Sequence, residues 1–218
     1  MTISQRLRAI ANLVPSRATP VDIGSDHGHV LDLLLSSGKI IKGYATDNKT
    51  GPFHRLEKRF EHEPRIKVYK ADGLTNLPDD VDTLIITGMG GLLINQIIEQ
   101  GTHFLDNISS IIVGPHQQVY EVRRDLSQLG FMIVAETIVA EDYQFYDLLR
   151  FEPGIAEYRE QELSWGPINL KTRSPILLLK MRQRIEEIDR ILKKPIPAKR
   201  IAALKKEMAW LQHYDQNK

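Results

Sequence analysis

The sequence of 218 residues contains no cysteine. A chain without cysteine forms neither a disulfide framework nor a thiolate metal site, so we expect a reducing cytoplasm as its compartment. Long apolar runs are also missing, since none approaches the roughly 18 residues of a membrane span. The N-terminal segment lacks the uninterrupted apolar core of a signal peptide. We therefore expect a cytoplasmic protein without a membrane role.

The two parts of the chain carry opposite excesses of charge. Residues 171–218 hold 13 Lys and Arg against 5 Asp and Glu, whereas residues 1–170 hold 16 against 23. The net charge of +1 therefore combines a C-terminal part of +8 with a body of −7. This asymmetry favours a segment that binds a polyanion, although a solvated pair of charged helices would have the same composition.

Short apolar runs alternate with helical stretches from about Ala18 to Phe151, which is typical of a parallel sheet with crossover helices. Seven strands are predicted, at residues 19–24, 41–47, 65–72, 81–88, 109–115, 131–140 and 145–152. Helices are predicted near the N-terminus and around residues 30–37, 52–62, 91–100 and 117–129. Because only four residues, 141–144, separate the last two strands, these strands should form an antiparallel hairpin at one sheet edge.

The C-terminal part predicts an antiparallel pair of helices. After Pro153-Gly154 comes a polar connector, followed by two stretches with apolar residues three and four apart. Pro195 and Pro197 lie between these stretches and should end the first helix. We expect residues 1–155 to form the α/β domain and residues 165–218 to form a helical hairpin with a coiled-coil-like seam.

The most informative stretch runs from Asp22 to Gly28 and reads D-I-G-S-D-H-G, just before a predicted helix. Glycines at such a turn let the backbone approach a ligand, and ligands of open α/β sheets lie beyond the carboxyl ends of the strands. Asp47, at the end of the second strand, is placed to accept hydrogen bonds from ribose hydroxyls. A dinucleotide fingerprint needs glycine at Asp26, where a carboxylate would repel pyrophosphate. A nicotinamide dehydrogenase is therefore disfavoured, and the carboxylates suit a cationic ligand.

Two further strand ends carry similar residues. Asp72-Gly73 follows the third strand, and Gly88-Met89-Gly90-Gly91 follows the fourth, where glycines permit close approach of a flat base. Taken singly, Asp26 could cap a helix and Asp72-Gly73 could be an ordinary turn. Their succession at strand ends favours a ligand site.

In these motifs and their order, the chain resembles the bacterial tRNA (adenine-22-N1)-methyltransferase family. The resemblance rests on D-I-G-S-D-H, G-P-F after the second strand, A-D-G-L, T-G-M-G-G, and W-G-P before the helical hairpin, and it extends from Ser4 to about Gln212. It implies a Rossmann-like class I methyltransferase fold, S-adenosylmethionine as cofactor and tRNA as substrate, methylated at N1 of adenine 22. The implied cofactor-binding residues are Asp22, Gly24, Ser25, Asp26, His27, Gly28, Asp47, Asn48, Asp72, Gly73, Gly88, Met89 and Gly90.

The reaction implied by the resemblance depends mainly on positioning, because N1 of neutral adenine is itself a nucleophile once the base is unpaired or flipped out. Methylation leaves a cationic adenine, and we assign Asp26 to stabilise that charge. The chain departs from the family pattern at His29, where the family has A-Y-L-P, and at His116, where it has Q-P-N. Both histidines are candidates to contact the base, since imidazole can stack and hydrogen-bond. They could equally be ordinary strand-end histidines.

The resemblance also implies that the helical hairpin helps to hold tRNA. Its candidate phosphate-binding residues are Arg182, Lys193, Lys194, Lys199, Arg200, Lys205 and Lys206. We expect no metal, because the remaining histidines are scattered among polar residues, and we expect a monomer. Two alternatives stay open. One is a methyltransferase of this family with a changed RNA substrate, and the other is a non-catalytic RNA-binding protein that retains the fold.

Overall fold

A computed structural model describes residues 4–216. The strands are β1 (Pro20–Ile23), β2 (Gly43–Asp47), β3 (Ile66–Lys70), β4 (Thr83–Thr87), β5 (Ser110–Gly114), β6 (Phe131–Glu141) and β7 (Gln144–Pro153). They form one sheet in the order β3-β2-β1-β4-β5-β7-β6. The first five strands pair in parallel, and β7 pairs antiparallel with both β5 and β6. The predicted α/β architecture of the class I methyltransferase type is confirmed.

Helices lie between successive strands as far as β6, except between β3 and β4, which a loop connects. The helices are α1 (Gln5–Leu13), α2 (His29–Ser36), α3 (Thr50–Phe60), α4 (Gly91–Gln100), α5 (Val119–Gln128), α6 (Glu160–Trp165), α7 (Pro167–Thr172), α8 (Pro175–Leu192) and α9 (Ala198–Gln216). The chain divides into two compact units, of which the first ends at Ile168 and the second begins at Asn169. Within residues 4–216, no helix is both long enough and apolar enough to cross a membrane.

Apolar residues of the central strands point alternately to the two faces of the sheet and form an apolar core on each face. In β4, Leu84 and Ile86 belong to one apolar cluster and Ile85 to the other, and all three side chains are fully buried. Successive strand residues point to opposite faces, so an unbroken apolar run fits a strand that is covered on both sides. Burial of this apolar surface fixes the register of the strands. The register in turn fixes which residues emerge at their carboxyl ends.

The β6–β7 hairpin turns through Asp142 and Tyr143, both at positive φ (50° and 62°). A type I′ turn requires a positive φ at both of its central residues, and its twist matches that of the flanking strands. The antiparallel hairpin predicted for the last two strands is therefore confirmed, with β6 at the edge of the sheet.

The polar connector predicted after Pro153-Gly154 contains helix α6 within the first unit, which continues past residue 155 to Ile168. With six residues, α6 is too short for its apolar residues to show helical periodicity. The buried Arg123 of α5 holds it, because the guanidinium donates to the carbonyl oxygens of Leu163 at 3.0 Å and Ser164 at 3.2 Å. The connector is thus packed structure.

The second unit is the predicted pair of helices, α8 and α9. Ser174 is the N-cap of helix α8, and its hydroxyl accepts a hydrogen bond from the Leu177 N–H at 3.2 Å. Met181 and Ile188 are buried on α8, and Leu204 and Leu211 on α9. Both pairs are seven residues apart in sequence, as in a coiled-coil seam.

Candidate active site

A cleft of about 900 Å³ opens in the first unit where the strands β1 to β5 end. Parallel strands have their carboxyl ends at one edge of a sheet, so the segments that follow them converge there. Eleven of the thirteen predicted cofactor residues line the cleft: Asp22, Gly24, Ser25, Asp26, His27, Asp47, Asn48, Asp72, Gly73, Gly88 and Met89. The other two, Gly28 and Gly90, are the N-caps of α2 and α4. His29 and His116 line the cleft as well.

Asp22 is a buried carboxylic acid in the wall of this cleft. It lies within β1, is 4% exposed, and accepts a hydrogen bond from the Ser25 hydroxyl at 2.5 Å. Burial raises the pKa of Asp22 to about 7, although the Ser25 hydrogen bond acts in the opposite direction. A buried carboxyl group whose pKa lies near 7, in the wall of a cleft, is typical of a functional site.

Two glycines in the segments after β1 and β4 lie close to neighbouring atoms. Gly24 has a φ of 66°, and a Cβ there would overlap the Met89 Cε. At Gly91, a Cβ would lie 2.6 Å from the Gln118 carbonyl oxygen, which is a backbone atom. A side chain at Gly91 would therefore require the backbone to move, whereas at Gly24 it is the positive φ that favours glycine, because the end of the Met89 side chain is flexible.

The ends of β2 and β3 bring a second pair of aspartates to the cleft. Asp47 is buried, and its Oδ1 accepts a hydrogen bond from the Lys49 N–H at 2.9 Å. Asn48 donates from Nδ2 to Asp72 Oδ1 at 3.0 Å, which links the ends of the two strands. Two carboxylates are thereby fixed where a ribose and a heterocycle could be hydrogen-bonded.

Asp26 forms an ion pair with Arg55 of α3, which the sequence analysis did not identify. Its other oxygen lies 3.4 Å from His27 Nε2. The hydrogen bond from Arg55 holds the pKa of Asp26 below its usual value. Asp26 is therefore ionised, and the guanidinium of Arg55 partly neutralises its negative charge.

The two histidines at which the chain departs from the family pattern lie next to different strand ends. The His29 ring stacks on His27 with a centroid distance of 5.6 Å. Burial lowers the pKa of His29, so its ring is neutral at pH 7. The Nε2 atom of His116 lies 4.0 Å from the position of a Cβ on Gly88. Both rings can therefore reach a flat group in the cleft.

Arg6 of α1 completes the lining of the cleft beyond β5, and Tyr146 contacts both Arg6 and His116. Tyr146 of β7 packs edge-on against His116, with ring centroids 6.0 Å apart. The Arg6 guanidinium carbon of α1 lies 4.6 Å from the centroid of the Tyr146 ring, and Arg6 lines the cleft. Arg6 is not among the residues predicted from the sequence, because no local motif marks it and Tyr146 lies 140 positions away in the chain.

The basic residues predicted in the second unit differ in their surroundings. Arg182 forms an ion pair with Asp215 at 3.0 Å, so its guanidinium holds α8 against α9. The other six form no ion pair with any residue in the range 4–216: Lys193, Lys194, Lys199, Arg200, Lys205 and Lys206. Across the same range, no group of three or more His, Asp or Glu side chains could hold a metal ion.

Comparison with known proteins agrees with this geometry. Residues 3–149 match the family described as "Methyltransferase domain". A Bacillus subtilis relative, named tRNA (adenine(22)-N(1))-methyltransferase, is 27% identical over an alignment of 201 residues that covers 88% of this chain and 84% of that protein. A Streptococcus pneumoniae protein in complex with S-adenosyl-L-methionine is 29% identical, with a TM-score of 0.91 over 99% of this chain and 100% of that chain. The structure of the B. subtilis m1A22 tRNA methyltransferase is 25% identical, with a TM-score of 0.84 over 99% of both chains.

Proposed function

The chain belongs to the methyltransferase-domain family, and we propose that it is an S-adenosylmethionine-dependent enzyme that methylates N1 of adenine 22 in tRNA. One structural observation carries this proposal. Four aspartates from three successive strand ends line a single cleft, together with glycines that follow β1, β3 and β4. The names of the relatives support the choice of tRNA and of adenine N1.

The residues of the cleft fit S-adenosylmethionine, which supplies an activated methyl group on a cationic sulfur and also carries an ammonium group. Carboxylates attract both cations, whereas they would repel a pyrophosphate. We propose that Asp22 binds the ammonium group, that Asp47 accepts from the ribose hydroxyls, and that Asp72 accepts from the adenine amino group. The other predicted cofactor residues would contact the cofactor mainly through their backbone.

The remaining task of the protein is to hold the adenine in line with the methyl group. His116, near Gly88 at the end of β4, is placed to contact the base by stacking or hydrogen bonding, and His29 is the second candidate. N1 attacks as a neutral nitrogen, so no side chain has to remove a proton beforehand. Asp26, ionised beside Arg55, stabilises the positive charge that develops on the base.

The decisive experiment incubates the protein with labelled S-adenosylmethionine and an unmodified tRNA transcript, followed by nucleoside analysis. We expect N1-methyladenine in the transcript and none in a matched transcript in which adenine 22 is replaced. Methylation at another position would favour the changed-substrate alternative. Cofactor binding without any methylated nucleoside would contradict the proposal and favour the non-catalytic alternative.

Replacing Asp26 with asparagine should lower turnover about ten-fold, equivalent to about 1.4 kcal/mol of transition-state stabilisation. The effect is moderate because Asp26 is half exposed and its charge is shared with Arg55. The affinity for S-adenosylmethionine should change little. Single-turnover methylation and calorimetric titration check the two parts separately. Unchanged turnover at unchanged cofactor affinity would remove Asp26 from the mechanism.

The lysines between α8 and α9 should contribute to tRNA binding. The double variant Lys193→Gln, Lys194→Gln removes two expected phosphate contacts. It should reduce the magnitude of the slope of log K against log salt by about 1.4–1.8. The affinity should fall at least ten-fold. The matched control is the double variant Lys58→Gln, Lys67→Gln, which removes equal charge from exposed positions of the first unit. Filter binding over a range of salt concentrations checks this. Equal losses in the two variants would indicate a general charge effect instead of a site.

Three further expectations remain predictions. A tRNA substrate would place the protein in the cytoplasm, in agreement with a chain that has no cysteine. The monomeric state and the independence from metal are both testable, by sedimentation and by methylation in the presence of a chelator.

A further inference from the structure

The cleft has two chemically different halves. The last residues of β1, β2 and β3 and the segments after them contribute four aspartates, which include the buried Asp22. The segments after β4 and β5 contribute Gly88, Met89 and His116, and α1 adds Arg6. Because β1 and β4 are neighbours in the sheet, the boundary between the halves runs through its centre. The acidic half suits a cationic cofactor, and a phosphate there would be repelled.

Arg6 differs from the other arginines of the α1–α3 region that are close to the cleft. Arg55 pairs with Asp26, and Arg59 pairs with Asp32. Arg6 forms no ion pair with any residue in the range 4–216, and its interaction is the stack on Tyr146. The neighbouring carboxylate is already used, since Glu141 accepts hydrogen bonds from the Ser4 hydroxyl and the Gln5 N–H, both at 2.9 Å.

Stacking fixes the guanidinium of Arg6 without using its donors. A guanidinium lying over an aromatic face keeps its N–H groups in its own plane, where they can bind the two oxygens of a phosphate in a bidentate manner. Arg6, Tyr146 and His116 form a continuous series, with separations of 4.6 Å and 6.0 Å. This series therefore combines a cation with flat rings, which is the chemistry that recognises a nucleotide as a whole.

We propose that Arg6 binds a backbone phosphate of the RNA strand next to the adenine that is methylated. This inference rests on the proposed function. Tyr146 acts as a positioning residue, because it holds the guanidinium of Arg6 on one side and contacts the ring of His116 on the other. Anchoring the phosphate on this side restricts the strand to the half of the cleft opposite the aspartates. The flipped adenine would then be delivered toward Gly88 and His116.

The test compares Arg6→Gln with Arg8→Gln. Arg8 is exposed on the same helix and lies outside the cleft lining, so it is a matched loss of charge. Binding of a tRNA transcript is measured over a range of salt concentrations, with S-adenosylhomocysteine present. Arg6→Gln should weaken binding about ten-fold and reduce the slope of log K against log salt by about 0.7–0.9. Arg8→Gln should match the wild type, and Arg6→Lys should recover the slope while methylating more slowly.

Each result has a distinct meaning. A wild-type slope in Arg6→Gln, even with reduced methylation, would overturn the phosphate contact and leave Arg6 as a support for Tyr146. Equal slope changes in Arg6→Gln and Arg8→Gln would overturn it too, because the effect would then be general electrostatics. If the wild-type protein neither binds nor methylates tRNA, the proposed function itself fails and the Arg6 contact fails with it. Methylation by the wild type combined with an unchanged Arg6→Gln slope removes the Arg6 contact alone.

Discussion

Replacing Arg123 with methionine is expected to lower the free energy of unfolding by about 3–5 kcal/mol. The Arg123 side chain is fully buried and donates to Glu136 Oε2 at 3.0 Å and to Asp147 Oδ1 at 3.3 Å. It also donates to the carbonyl oxygens of Leu163 and Ser164. Without the guanidinium, two buried carboxylates on adjacent strands lose the cation between them. The cost of such uncompensated charge exceeds what the apolar methionine can recover by packing.

Arg124 provides the matched control for this variant. It is the next residue on α5, it is half exposed, and it pairs with Asp125. Arg124→Met should therefore change the free energy of unfolding by less than about 1 kcal/mol. Urea denaturation of both full-length variants at neutral pH measures the difference. Losses that agree within about 1 kcal/mol would show that the buried network contributes no more than a surface ion pair.

The sequence best predicts those residues of the site that lie at the carboxyl end of one strand and need no partner from elsewhere in the chain. Asp22, Asp47, Asp72 and Gly88 each lie within two residues of the last residue of a strand, so an apolar run in the sequence is enough to locate them. Parallel pairing then brings them to one edge without further information. The same reasoning predicted the hairpin of β6 and β7, because a connection of a few residues permits only antiparallel pairing.

The residues that escaped prediction are those whose role depends on distant packing. Arg55 reaches Asp26 from α3, and Arg6 reaches Tyr146 from α1. Neither pairing leaves a local pattern, since the partners are set by how helices lie on the sheet. Arg182 shows the same limit in another way. Its charge predicts a phosphate contact, which stays a prediction, and its ion pair with Asp215, 33 positions away, depends on the register of α8 against α9.

Asp22→Asn is expected to stabilise the ligand-free protein at about pH 8 while weakening cofactor binding. The folded-state pKa of Asp22 is raised from 3.8 to about 7 by burial. A raised carboxyl pKa favours folding at low pH, and that contribution is lost as the pH rises through about 7. At about pH 8 the ionised, buried carboxylate costs about 2–4 kcal/mol. Asparagine carries no charge and can still accept the Ser25 hydrogen bond, so its thermal unfolding at this pH should occur at a higher temperature than in the wild type.

The same substitution should remove the pH dependence of cofactor affinity. If the ionised Asp22 binds the ammonium group, wild-type affinity should fall up to ten-fold for each pH unit below about 7, because binding must then displace a proton. Asp22→Asn should bind about 30-fold to 1000-fold more weakly at about pH 7.5, with little change down to about pH 5.5. Ser25→Ala should move the wild-type transition to higher pH, since the Ser25 hydrogen bond lowers the pKa of Asp22. Calorimetric titration with S-adenosylhomocysteine, which retains the ammonium group, measures the wild type and both variants. A wild-type affinity that is constant across this range would show that the charge of Asp22 is not what the cofactor recognises.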